Sequence, residues 1–242
     1  MILLWTLLHL IVRMKLRNKP HSFWPSRYIL PVSVVLLSIA LLVLFLSTAT
    51  KNATPEALVG IKINSDDRYE YISSNSEYTI IEFFDLNCQY CRVFHELKKK
   101  NETEFTNINL ILRNYPLLDS GKSALKTLIG ECVAQQRGTR SWLEYVNISY
   151  ANFDKKDQDS FFLKLGESLV FDQDSFKGCL ADTNLRLKIE NERNTNLVNQ
   201  ITYVPTLVVF KGDNIVKVYE GVGGKLGLEV LRYYNGLSAL KN

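Results

Sequence analysis

The sequence contains little sulfur, with two methionines and four cysteines among 242 residues. Because only Met1 and Met14 are present, a methionine-rich copper site is excluded. Four cysteines are too few for a disulfide-rich scaffold, and a chain of this length can bury a hydrophobic core without such staples. We therefore expect the cysteines to form one reactive pair and one further pair.

Concentrated positive charge is also absent. The formal net charge is +4 and 22% of the residues are charged, but no basic stripe with interleaved aromatic residues occurs, so no nucleic-acid partner is expected. A short cluster, Lys98-Lys99-Lys100, is interpreted as the solvated end of a helix. Internal repeats and low-complexity segments are missing too, and one medium-sized globular domain is expected.

Residues 29–49, ILPVSVVLLSIALLVLFLSTA, form a long run without charge. A helix rising about 1.5 Å per residue crosses a hydrocarbon core of roughly 30 Å at this length. Basic residues are frequent in residues 1–28 and only Lys51 follows closely, so the positive-inside rule places the N-terminus in the cytoplasm. A cleaved signal peptide is the alternative, since residues 47–49 are small. The run is longer than the usual signal core, and we expect a retained single-pass anchor.

The rest of the chain predicts an α/β domain that follows a polar stalk over residues 50–76. Buried strands are expected at apolar, β-branched stretches, and the last two of them form a hairpin: residues 78–86, 108–114, 201–210 and 215–221. Helical periodicity covers residues 91–100, 121–200 and 225–237. Breaks in the long helical block are predicted near residues 138, 153–154 and 171–172.

Cys88 and Cys91, in EFFDLNCQYC, lie where the first buried strand ends and a helix begins. A thiolate at that position faces unpaired backbone N–H groups and the positive end of the helix dipole. Both lower the thiol pKa, and the thiolate is the nucleophile. Cys91 lies one turn deeper, where it can attack Cys88 in a mixed disulfide and release the partner. The spacing predicts thiol exchange, with Cys88 as nucleophile and Cys91 as resolving thiol.

Two further residues are candidates for the same site. Glu82 lies in the strand among apolar neighbours, where a buried carboxylate can exchange a proton with Cys91, and Asp85 competes for this role. The alternative places Glu82 at a solvent-facing strand edge. Pro205 interrupts the strand-like run ITYVPTLVVF. A cis peptide after Val204 would turn the Val204 backbone toward a bound peptide, whereas a trans proline in an edge strand is the alternative.

These features together resemble the DsbA-like family of thioredoxin-fold thiol-disulfide oxidoreductases. The resemblance is carried by EFFDLNCQYC, RNYPLL, the helical block and YVPT, in order and spacing over about residues 56–240. It implies a thioredoxin fold with an inserted all-helical subdomain, and the uncharged run at residues 29–49 predicts one transmembrane helix before it. The first part of the fold would span residues 77–120, the insertion 121–200 and the second part 201–242.

The resemblance also implies roles for individual residues. Cys88 would be the exposed nucleophile, Cys91 the buried resolving thiol, Glu82 the buried acid and Pro205 a cis proline. The redox-active disulfide would need no further cofactor. Strong oxidants of the family often carry Pro-His between the two cysteines, whereas this chain has Gln89-Tyr90. We therefore expect a potential inside the range of about −120 to −270 mV that related proteins span.

Cys132 and Cys179 both fall in the helical block. The resemblance implies a second, structural disulfide between them, and an extracytoplasmic compartment would favour it. The alternative is two unpaired thiols that pack as small hydrophobic residues. A second redox-active pair is not expected, because these cysteines have neither local spacing nor a position at the start of a helix after a strand.

The uncharged run and the positive-inside rule predict an inner-membrane protein with a periplasmic or otherwise extracytoplasmic catalytic domain. It would donate the Cys88–Cys91 disulfide to cysteine-containing secreted proteins and be reoxidised by a membrane redox partner. A reductase or isomerase with the same site is one alternative. Another is a metal-delivery protein that binds through Cys88, Cys91 and His95. A closed zinc site needs four ligands, His95 is interpreted as a surface residue, and no metal is expected.

Overall fold

The computed structural model of the chain describes residues 38–39, 60–117 and 120–240. From residue 60 onward, the described residues belong to one compact unit, Asn52–Asn242. The predicted basic N-terminus, residues 1–28, lies outside the described residues, as does the predicted anchor, residues 29–49, apart from positions 38 and 39. Within the part of the chain that is described, no helix combines the length and hydropathy needed to cross a bilayer.

Five strands form one sheet in the order β1-β3-β2-β4-β5. Strands β2 and β3 are parallel, and the other neighbouring pairs are antiparallel. The strands are β1 (Arg68–Tyr71), β2 (Tyr78–Phe84), β3 (Asn109–Asn114), β4 (Thr206–Lys211) and β5 (Asn214–Tyr219). Strands β2 and β3 belong to the predicted β-α-β unit and β4 and β5 to the predicted β-β-α unit, whereas β1 is an additional strand at the edge of the sheet.

The position of the central strands in the sheet explains why their sequences are continuously apolar. Strand β2 lies between β3 and β4, and helices cover the sheet, so both of its faces are buried. Ile80, Ile81 and Phe83 are fully buried, as are Leu207 and Val208 in β4. Strand β4 begins at Thr206 rather than at residue 201, because the chain bends at Pro205, where the Val204–Pro205 peptide bond is cis.

Six α-helices occur in the described residues: α1 (Gln89–Lys100), α2 (Ser120–Ala151), α3 (Asp159–Leu169), α4 (Gln173–Ala181), α5 (Thr183–Val198) and α6 (Gly224–Ala239). Helices α2 to α5 form the inserted helical block between β3 and β4. The predicted break near residue 138 is a kink in α2, where Gly138 has φ 70° and ψ −170°. A residue with a side chain rarely adopts this positive φ, which glycine tolerates.

The segment predicted as a stalk, residues 50–76, contains strand β1. Its sequence, RYEY, has no apolar run that would identify it as a strand. Pairing with β3 and two ion pairs stabilise it instead: Arg68 binds Glu131 of α2 at 2.6 Å, and Glu70 binds Lys98 of α1 at 2.6 Å. Because these partners are distant in sequence, periodicity alone could not reveal the strand.

A disulfide joins Cys132 in α2 to Cys179 in α4, the pair that the resemblance implies. Cys132 is fully buried. Close packing surrounds this part of the block, since a Cβ atom at Gly166 of α3 would lie 2.5 Å from Ile129 Cγ2 and 2.7 Å from Phe176 Cζ. The insertion therefore holds its helices together by a covalent bond as well as by side-chain packing.

Replacing both Cys132 and Cys179 by alanine should lower the free energy of unfolding by about 4 kcal/mol, because the bond closes a long loop in the unfolded chain. The sequence separation is 47 residues. Urea unfolding of residues 52–242, followed by circular dichroism, measures this loss. A Cys88→Ala/Cys91→Ala variant that keeps the Cys132–Cys179 bond is the control. An equal loss in both variants would contradict the assignment.

Candidate active site

Cys88 and Cys91 are free thiols at the N-terminus of α1. Strand β2 ends at Phe84, and the turn that follows is closed by a hydrogen bond from the Cys88 N–H to the Asp85 carbonyl, at 2.9 Å. Cys88 is the N-cap residue: its Sγ accepts a hydrogen bond from the Cys91 N–H at 3.2 Å. The sulfur therefore takes the place of the oxygen that usually caps a helix.

The pKa values of the two thiols are shifted in opposite directions. A hydrogen bond from the Cys91 thiol lowers the pKa of Cys88 most, burial opposes it, and the N–H groups of Cys91 and Tyr90 lower it further. Burial is the largest of the effects that raise the pKa of Cys91. The geometry thus favours a Cys88 thiolate that accepts a hydrogen bond from the Cys91 thiol. Thiol exchange requires such a thiolate, because the thiolate is the nucleophile.

The nucleophile is more enclosed than the resemblance implies. Cys88 is only 2% exposed, because the loop before β4 covers it: its Sγ contacts the Val204 carbonyl oxygen at 3.5 Å. The loop before α6 packs against the two residues that flank this contact, Tyr90 and Pro205. A Cβ atom at Gly223 would lie 3.0 Å from the Tyr90 carbonyl oxygen and 3.2 Å from Pro205 Cγ. Glycine at this position permits that close approach.

The residues between the cysteines face solvent. Gln89 is exposed, and Tyr90 is 72% exposed. Tyr203, in the loop before Val204, is 63% exposed. Two aromatic rings are therefore available beside the enclosed sulfur.

Glu82 is buried, which decides between the two positions that the sequence left open. The residue is 2% exposed, and its Oε2 accepts a hydrogen bond from Lys98 Nζ at 2.6 Å. The same ammonium binds Glu70 Oε2 at 2.6 Å. Burial raises the pKa of Glu82, the Lys98 charge lowers it and the Glu70 charge raises it, with a net upward shift. The Glu82 charge in turn contributes to the raised pKa of Cys91.

Two interpretations of α1 side chains are wrong. Lys98 is not at a solvated helix end, since it is completely buried between Glu70 and Glu82. His95 is not a surface residue: it is 5% exposed, and its Nε2 bonds to Asn147 Oδ1 at 2.8 Å. Both follow Cys91 at helical spacing, four and seven residues later, which places them on the same inward face. That spacing was the signal that could have located them.

The metal-binding alternative receives no support from the geometry. Among the residues that the structure describes, no three histidine, cysteine, aspartate or glutamate side chains are grouped closely enough to hold a metal ion. The imidazole of His95 is engaged with Asn147 and lies 4.0 Å from Glu70 Oε1. Cys88, Cys91 and His95 therefore do not form a ligand set in this structure.

Helix α2 of the insertion donates hydrogen bonds to the turn before Cys88, from residues that the sequence analysis did not identify. Asp85, at the end of β2, is fully buried and accepts hydrogen bonds from Ser123 Oγ at 2.9 Å and, through its carbonyl, from Tyr150 Oη at 3.1 Å. Lys126 Nζ donates to Asn87 Oδ1. The three donors belong to α2, and no local pattern connects them with the cysteine pair.

Comparisons with known proteins agree with this geometry. A family model described as Thioredoxin matches residues 73–218. The crystal structure of Wolbachia pipientis α-DsbA1 is 17% identical, with a TM-score of 0.62, covering 76% of this chain and 98% of that one. Pseudomonas aeruginosa DsbA2 is 22% identical, with a TM-score of 0.52, covering 72% and 96%. No curated protein matches the chain. At these identities the solved structures establish the fold alone.

Replacing Lys98 by methionine should lower the free energy of unfolding by about 3–5 kcal/mol, because it leaves two buried carboxylates without their counter-charge. The control is Lys99→Met. Lys99 pairs with Glu102 at the surface, where the two side chains are 47% and 52% exposed, so this change should cost less than about 0.5 kcal/mol. Urea unfolding compares the two variants, and similar losses would contradict the buried pairing.

Stability should fall as the pH drops from 6.5 to about 4, because burial lowers the pKa of His95 from 6.5 to about 4. The imidazole stays neutral in the folded state down to about pH 4, whereas it is protonated below pH 6.5 in the unfolded state. Lowering the pH between these values therefore stabilises the unfolded state relative to the folded state. The shift corresponds to about 3 kcal/mol, fully present above pH 6.5. Urea unfolding of residues 52–242 at several pH values measures it, and His95→Gln, which keeps a donor for Asn147, should remove this component of the dependence. An unchanged pH profile in that variant would contradict it.

Proposed function

The chain belongs to the thioredoxin family, and on this premise we propose that it is a protein thiol-disulfide oxidoreductase that donates the Cys88–Cys91 disulfide to cysteine-containing secreted proteins. The observation that carries the proposal is a pair of free thiols at the start of α1, in which Sγ of Cys88 caps the helix by accepting the Cys91 N–H at 3.2 Å. This arrangement agrees with pKa shifts in opposite directions, downward for Cys88 and upward for Cys91. A structural disulfide or a metal site has no need of this asymmetry, whereas an exchange reaction depends on it.

The reaction transfers two electrons from the substrate to the protein. A substrate thiolate attacks Sγ of Cys88 in the oxidised pair, the Cys88–Cys91 bond breaks, and the Cys91 sulfur leaves and takes up a proton. A second substrate thiolate then attacks the substrate sulfur of the mixed disulfide, and Cys88 leaves as a thiolate. The substrate dithiol is oxidised to a disulfide, and the protein pair is reduced to a dithiol. The lowered pKa of Cys88 makes it a good leaving group.

The residues around the cysteine pair are proposed to have supporting roles in this reaction. Glu82, buried with a raised pKa, is proposed to exchange the proton that Cys91 gains and loses. Val204 and Pro205 lie over Cys88, so an extended substrate segment that displaces the Cys88 contact is proposed to pair with the Val204 backbone. Gln89 and Tyr90 would face that segment from the other side of the nucleophile, where Tyr90 is exposed.

The proposed location is the membrane of an oxidising compartment. Residues 1–28 would lie in the cytoplasm, residues 29–49 would span the inner membrane, and residues 50–76 would lead into a periplasmic or extracytoplasmic domain. The uncharged run and the excess of basic residues before it support this orientation. The Cys132–Cys179 disulfide supports it as well, because such bonds persist outside the cytosol. Reoxidation would then come from a membrane redox partner.

The domain organisation is proposed in the same terms. Residues 77–120 and 201–242 would form the thioredoxin part that carries the reaction, and residues 121–200 the helical insertion. The kinked helix α2 lies along the site and supplies donors to Asp85 and Asn87. The insertion would therefore act on the cysteine pair in addition to shaping the surface around it.

Cys91→Ser should accumulate mixed disulfides with disulfide-bonded secreted proteins, because its Cys88 thiolate attacks a substrate disulfide, one substrate thiolate leaves, and no Cys91 thiol remains to release the substrate from Cys88. Cys88→Ser should form none. Both are read by mass after thiol trapping, and the Cys132–Cys179 bond stays intact in each variant. The redox equilibrium of the unaltered chain with glutathione sets the direction. A potential near about −120 mV supports an oxidase, and one near about −270 mV favours a reductase or isomerase. Failure of Cys88 and Cys91 to pair at any ratio would refute thiol exchange.

A further inference from the structure

Helix α2 places a buried lysine behind the nucleophile. Lys126 is 1% exposed, and its Nζ donates to the side-chain oxygen of Asn87, the residue before Cys88. Its ammonium lies 4.0 Å from the centroid of the Phe162 ring of α3. A buried lysine is rare unless a partner compensates its charge. Neither contact is with a carboxylate, so the compensating charge must come from elsewhere.

Among the negative charges that favour the Lys126 ammonium, that of Asp85 acts most strongly. Asp85 is fully buried, and its Oδ1 accepts the Asn87 N–H at 2.7 Å, so it holds the same turn that Lys126 binds. The negative charge of Asp85 raises the pKa of Cys88 and also raises that of Lys126. One carboxylate therefore disfavours the Cys88 thiolate and favours the Lys126 ammonium.

We propose that Lys126 is a positioning residue for the reaction described above: its ammonium neutralises Asp85 and holds Asn87, and so keeps the turn before Cys88 favourable to the thiolate. The inference rests on the proposed function, since it concerns the same nucleophile. It assigns to the helical insertion a direct part in setting the redox potential of the cysteine pair.

The environment of Lys126 makes this charge dependent on pH. Burial lowers the pKa of Lys126 to about 8; the charges of Asp85, Asp157 and Asp159 raise it, and that of Lys156 lowers it. Above this value the ammonium loses its proton and Asp85 is no longer opposed. The contribution of Lys126 to a low pKa of Cys88 should therefore be lost above this pH.

The test compares Lys126→Met with Lys126→Arg in the full chain. Loss of the charge should raise the pKa of Cys88, followed by the ultraviolet absorbance of its thiolate, by about one unit. The equilibrium constant for reduction by glutathione should fall about tenfold, or about 30 mV. Lys126→Arg keeps the charge and should recover most of both values. Lys122→Met is the matched control, because Lys122 lies one turn earlier in α2 and pairs with Asp157 at the surface.

A second variant separates charge from packing. In Lys126→Met/Asp85→Asn both charges are removed, while the asparagine oxygen still accepts the Asn87 N–H. The pKa of Cys88 should return to within about 0.3 units of the unaltered chain. Recovery supports the proposal. An unrecovered shift would mean that Lys126 acts by packing alone, and an unshifted pKa in Lys126→Met would overturn the proposal outright.

Failure of this inference is distinguishable from failure of the proposed function. If the unaltered chain never forms the Cys88–Cys91 bond with glutathione, the proposed function is wrong, whatever the Lys126 variants do. If the bond forms reversibly and Lys126→Met leaves both the potential and the thiolate titration unchanged, only the role of Lys126 is wrong.

Discussion

The ion pairs of Lys98 with Glu70 and Glu82 hold together the elements that carry the site. The lysine lies on α1, Glu82 on the central strand β2 and Glu70 on the edge strand β1. Charges in the interior are tolerated only when each has its partner, so none of the three elements can shift alone without leaving a charge uncompensated. The arrangement therefore fixes the inward face of α1, and with it the depth of Cys91.

A second layer of polar contacts fixes the other end of the same helix. The turn from Asp85 to Cys88 receives hydrogen bonds from Ser123, Lys126 and Tyr150 of α2. The thioredoxin part supplies the strand, the helix dipole and the loop over the sulfur, whereas the insertion supplies donors and a positive charge. The electrostatic environment of Cys88 thus belongs to both parts of the domain, and neither part would produce it by itself.

Local patterns explain what could be predicted from the sequence. Strands β2 and β3 appear as apolar runs because they are covered on both faces, and the cysteine pair is identified by its position between a strand and a helix. The break at Gly138 and the proline at residue 205 are properties of single residues. No local sequence pattern indicates strand β1 or the donors of α2, because their partners are distant in the sequence. Arg68 donates to Glu131, and Lys126 donates to Asn87. Helical spacing from Cys91 indicates that Lys98 and His95 are buried, whereas their polar side chains are typical of exposed positions.

The enclosure of Cys88 has a consequence for the order in which the protein matures. The sulfur is covered by Val204, which lies far later in the chain than the helix that carries Cys88. During synthesis from the N-terminus, Cys88, Cys91, Cys132 and Cys179 are all made before this cover. Until residue 204 has been added, the Cys88 thiol has no cover and is open to reaction with Cys132 or Cys179. The enclosure of the nucleophile can therefore form only after all four cysteines are present in the chain.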